Sequence, residues 1–117
     1  MTNRERRALH RKWVKALRSG KYKQTIRTLW CDGGKERAHC CLGVLYNVAK
    51  GKDAPRAAGE RFSSGTALGD VGGVHRFGLT DGQETELINM NDGLDGTKRR
   101  GFRGIAQWIE RNLLAAK

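Results

Sequence analysis

Residues 4–18, RERRALHRKWVKALR, carry the pattern that most restricts what this chain can become. At about 100° per residue, Arg4, Arg7, Arg11, Lys15 and Arg18 fall within an arc of about 80°. Leu9, Trp13, Ala16 and Leu17 take the opposite side, which describes a helix with one face to pack and one to stay wet. Ser19-Gly20 supplies the stop, since glycine enters the left-handed conformation cheaply. Five cations on one stripe repel one another, with only Glu5 near enough to relieve them. Folding alone does not ask for that arrangement.

The stripe is part of a regional imbalance. The chain carries 23 Lys and Arg against 12 Asp and Glu, a net of +11. Residues 1–30 hold ten of those cations and one acid, which leaves the other 87 residues near neutrality. Such asymmetry points to an anionic, phosphate-bearing partner, because the summed potential concentrates anions beside it. At 117 residues a single domain with one modest core is expected, spanning 1–117. No apolar run approaches the roughly 18–20 residues that cross a bilayer, and the charged N-terminal stretch is unlike a secretory signal. No membrane association is expected.

Beyond the first helix, residues 24–30 (QTIRTLW) are β-branched and aromatic. Asp32-Gly33-Gly34 offers turn chemistry, and residues 35–40 can return, predicting an antiparallel hairpin over about 24–40. In that hairpin Ile26, Thr28 and Trp30 share a face with Ala38 and Cys40. Residues 41–50 (CLGVLYNVAK) read as a helix stopped by Gly51. A Gly-rich mobile loop is expected at about 51–73, pinned by Phe62 and Leu68, then a short strand near 74–79. Thr80 and Gln83 form a capping box for a helix ending near Asn91. A last helix over about 98–115 has an apolar stripe of Phe102, Ile105, Ala106, Ile109 and Leu113. Arg99, Arg100, Arg103 and Arg111 stand opposite as a second basic face. The predicted fold class is α+β, a small antiparallel sheet packed by N-terminal, central and C-terminal helices.

The stretch HCCLGVL (39–45) invites a chemical reading. Zinc fits poorly: structural sites use ligands paired two to four residues apart, and neighbouring strand residues point to opposite faces. A nucleophilic Cys41 at a helix start, with His39 or His75 as base and Asn91 or Asp92 to orient it, has suitable chemistry. Nothing local resembles a cysteine-hydrolase signature, however. Adjacent thiols leading into an apolar run read as buried core, so no catalytic residue, metal or cofactor is expected.

Four motifs occur in succession: Trp13-x3-Leu17-Arg18-Ser19-Gly20-x-Tyr22-x-Gln24, then CCLGVL, then Leu87-x3-Asn91-Asp92, then Phe102-x2-Ile105-Ala106-x2-Ile109-Glu110. Together they resemble a family of small bacteriophage and prophage proteins, with Met90 standing where that pattern has Leu. The resemblance covers both ends and the middle of the chain. It implies expression in the cytoplasm of an infected bacterium and, by analogy of genome context, a counter-defence role.

Tyr22, Gln24, Asn91 and Asp92 have the chemistry to stack on a base or bond its edges and a ribose hydroxyl. The expected function is therefore non-catalytic capture of a phosphate-bearing nucleotide signal. Its site would combine Arg4, Arg7, Arg11, Lys15 and Arg18 with those four residues and Arg99, Arg100 and Arg103, across an oligomer interface. The alternative is DNA or RNA binding along the same faces. Blockade of an acidic host protein and a cysteine-dependent enzyme stand behind these.

Overall fold

The computed structural model describes residues 1–32, 36–55 and 73–115. Helix α1 (Asn3–Arg18) starts where Thr2 accepts the Glu5 amide and ends at Ser19. Strands β1 (Lys23–Gln24), β2 (Trp30–Asp32) and β3 (Arg37–His39) form one small sheet. Helix α2 (Cys41–Lys50) ends at Gly51, φ 71°. After a 3-10 turn at Val74–Phe77 come α3 (Asp81–Asp92) and α4 (Phe102–Ile109), the latter prolonged by a wider π-type turn at Glu110–Leu114. The fold is α+β. The Gly33-Gly34 turn, and residues 56–72 with Phe62 and Leu68, lie outside the described residues.

The sheet departs from the simple hairpin. Its order is β1-β3-β2, with β1 parallel to β3 and β2 antiparallel to it, so it is mixed rather than antiparallel throughout. The break comes at Arg27, whose φ of 67° no extended strand accommodates. Thr25–Leu29 therefore leaves the sheet as an arch, and only Lys23-Gln24 remains to pair with Ala38 and His39. Register shifts with it: Trp30 faces His39, and Cys31 faces Ala38. Around 74–79 the chain makes the 3-10 turn instead of a strand; it seats Phe77, while His10 Nε2 donates to the Phe77 carbonyl at 2.9 Å.

One core serves all described elements. Trp13 and Leu17 of α1, Leu42, Val44 and Leu45 of α2, Leu87 of α3, and Ile105 and Ile109 of α4 are buried together. The two buried indoles satisfy their N–H groups, Trp13 on the Cys41 carbonyl (2.9 Å) and Trp30 on the Ala54 carbonyl (2.6 Å). Gly43 lets α2 lie against the backbone of Leu29; a Cβ there would run into the Leu29 carbonyl. At α3 the capping box forms reciprocally, Gln83 N donating to Thr80 Oγ1 and Thr80 N to Gln83 Oε1.

Candidate functional site

Three of the four polar residues expected to read a ligand, Gln24, Asn91 and Asp92, bond one another, and Tyr22 bonds elsewhere in the protein. Asn91 is buried, and its side chain uses every bond it has: Oδ1 accepts from Cys41 N (3.1 Å) and Gln24 Nε2 (3.0 Å), Nδ2 donates to Thr25 O and Asp92 Oδ1 (both 2.8 Å). Gln24 Nε2 also donates to Arg100 O at 2.8 Å. The other oxygen of Asp92 accepts the Arg27 amide at 3.2 Å. This knot joins the arch, the start of α2, the end of α3 and the approach to α4. Tyr22 belongs to a second network, donating to Asn47 Oδ1 at 2.6 Å.

That second network centres on Asp53, which no sequence motif marked. Its carboxylate accepts from Arg37 Nη1 (2.9 Å), Asn47 Nδ2 (2.8 Å) and His39 Nε2 (2.7 Å). Burial alone would raise its pKa, but these hydrogen bonds and the charge of His39 together hold it below the usual carboxylate range. Arg37 also stacks over Trp30, 4.1 Å from the ring centre. The cluster ties the sheet to the end of α2.

Of the expected cations, some brace the fold and others stay unspent. Arg7 donates to the Leu114 carbonyl (2.9 Å), and its neighbour Arg6 to that of Leu113 (3.2 Å), so both cap the last helical turn. Arg18 pairs with Glu110 across the α1–α4 seam; the pair is exposed and raises the arginine's pKa while lowering the carboxylate's. Arg4, Arg11, Lys15 and Arg103 are exposed, and none makes a side-chain hydrogen bond or ion pair to another described residue.

Two open grooves share Arg18. One, of about 540 Å³, runs past Arg11, Lys15 and Glu110; the other, of about 490 Å³, past Arg103, Gly104 and Gln107. The Arg100 stem packs beside Gly104, and Arg99 lies against Gly93, so these two exposed cations adjoin the start of α4 and the end of α3. Arg11, Lys15 and Arg18 of the α1 stripe are thus continuous with Arg103 and Arg100 of the second basic face.

Burial disfavours the thiolate form of Cys40 and Cys41, whereas Cys31 is only half-buried. Cys40 and Cys41 are in the core; desolvation raises the Cys40 pKa to about 12 and that of Cys41 well above its ordinary value, outweighing nearby helix-start amides. Among the described residues no cluster of His, Cys, Asp and Glu is arranged to hold a metal ion. No described helix is long and apolar enough to cross a membrane.

Fold and surface define a small α+β domain with an open basic face. The chain belongs to the family described as Domain of unknown function (DUF8296), whose profile matches residues 5–68. That span takes in α1, the sheet, the Asp53 cluster and α2. No curated protein and no solved structure matches the chain.

Proposed function

We propose that this protein binds nucleic acid through the phosphodiester backbone, without catalysis, in the cytoplasm of a phage-infected bacterium. The observation that carries this reading is the continuous surface from Arg11 and Lys15 on α1, across Arg18, to Arg103 and Arg100 beside α4. Unpaired cations spread along open grooves suit a string of phosphates, each neutralised with release of a counterion. A single nucleotide needs convergent groups around one base and one phosphate, and Tyr22, Gln24, Asn91 and Asp92 give their hydrogen bonds to the protein itself. The bacteriophage setting rests on the motif resemblance.

Fluorescence anisotropy with labelled single-stranded and duplex oligonucleotides tests the proposal. Affinity is expected to drop about 20- to 150-fold between 50 and 200 mM salt, as roughly three to four phosphate contacts require. The triple reversal Arg11→Glu, Lys15→Glu, Arg103→Glu abolishes binding while the circular dichroism spectrum is unchanged. Lack of binding at 50 mM salt, or a flat salt response, refutes the reading. Salt-insensitive micromolar capture of a mononucleotide by calorimetry replaces it with the nucleotide-sensor alternative.

A further inference from the structure

Arg27 sits where an arginine is costly. Its φ of 67° lies in the left-handed region, which glycine or asparagine occupies far more cheaply than a long side chain. Such strain persists only where the surroundings over-determine it, and they do here. One foot of the arch is fixed at Thr25, whose N–H donates to His39 O (2.9 Å) and whose carbonyl accepts from Asn91. The other foot is fixed at Leu29, buried under α2, with its carbonyl accepting from Cys40 N at 3.1 Å. Between them Asp92 Oδ2 holds the Arg27 amide. All this order ends in a side chain that is exposed and makes no hydrogen bond or ion pair to another described residue.

Two further arginines, Arg99 and Arg100, adjoin the residues that hold the arch. Asp92 spends both carboxylate oxygens inward, on Asn91 and on the Arg27 amide. Gly93, next in the chain after Asp92, lies against Arg99, and the knot at Gln24 and Asn91 links the arch to the Arg100 carbonyl. We infer that Arg27 is a pre-positioned phosphate anchor, held by the Asp92 latch, that extends the nucleic-acid footprint beyond the α1–α4 face. Preorganisation is the reason for the strain: an arginine whose backbone is already fixed loses less freedom when a phosphodiester binds. This inference rests on the nucleic-acid reading above and adds a contact to it.

The test measures salt-dependent oligonucleotide binding by Arg27→Asn and Arg27→Gln. Asparagine suits the left-handed backbone, so Arg27→Asn keeps a melting temperature no lower than wild type. Its affinity falls about three- to tenfold, and the slope of log K against log salt becomes shallower by about one. Arg27→Gln, which keeps the strained backbone without the charge, loses the same contact. Asp92→Ala adds a net positive charge, yet is expected to weaken binding because the latch is gone. If either folded Arg27 variant binds with wild-type affinity and slope, the anchor is refuted and the proposed function stands. Tighter binding by Asp92→Ala refutes the latch. If wild-type protein binds no oligonucleotide at low salt, both readings fall together.

Discussion

At the scale of single residues, Asn91 shows how the folded chain reassigns a polar group that looks like a ligand contact. Its two donors and two acceptors are all met internally, by partners 50 to 67 residues distant apart from the adjacent Asp92. Sequence spacing cannot reveal such pairing, so Gln24, Asn91 and Asp92 read as free recognition groups when they form a joint around the buried Asn91. Removing the amide leaves the Cys41 N–H and the Thr25 carbonyl without partners. Asn91→Ala is expected to lower unfolding free energy by about 2–4 kcal/mol in urea titration. Asn91→Asp fares no better, because a carboxylate cannot donate to Thr25 O and repels Asp92. Arg27 was equally invisible, since nothing in TIRTL announces a positive φ.

At the scale of elements, legibility followed how local the forces are. Helices α1, α2 and α3 follow their apolar periodicity and stops, and the Thr80–Gln83 capping box forms as its spacing demands. The sheet was misread as a plain hairpin because one residue, Arg27, ends the extended run and lets β1 pair in parallel with β3. Parallel pairing depends on the position of a third strand, which no turn motif encodes. Gly43 is another element-level constraint: it was visible as an oddity in a helix and is explained by contact with the Leu29 backbone. Because that neighbour is main chain, it cannot rotate away. Gly43→Ala is expected to cost at least about 2–3 kcal/mol, seen as a lowered thermal midpoint, although alanine favours helices more than glycine.

For the molecule as a whole, the charge asymmetry predicted a cationic surface but could not say which cations the fold consumes. Arg7 and Arg18 are structural braces, whereas Arg11, Lys15 and Arg103 remain available. Global stability also carries a pH signature. His10 is fully buried; desolvation lowers its pKa, with the Arg6 charge acting in the same direction against the opposing hydrogen bond the histidine donates to the Phe77 carbonyl. The unfolded chain therefore binds a proton near pH 6.5 that the native state refuses, so stability must fall as pH drops through that value. Denaturant titrations at pH 7.5 and 5.5 should show the loss. The variant His10→Gln should show a smaller one.

The grip of Arg6 and Arg7 on the Leu113 and Leu114 carbonyls has a consequence for the timing of assembly. The first helix leaves the ribosome long before its cover exists, since α4 and the turn beyond it are made almost a hundred residues later. Until then two guanidinium groups lack their acceptors, and part of the apolar face of α1 waits bare. The native state closes by joining α1 to a segment made almost a hundred residues after it, so α1 cannot finish packing until α4 and the turn beyond it have been synthesised.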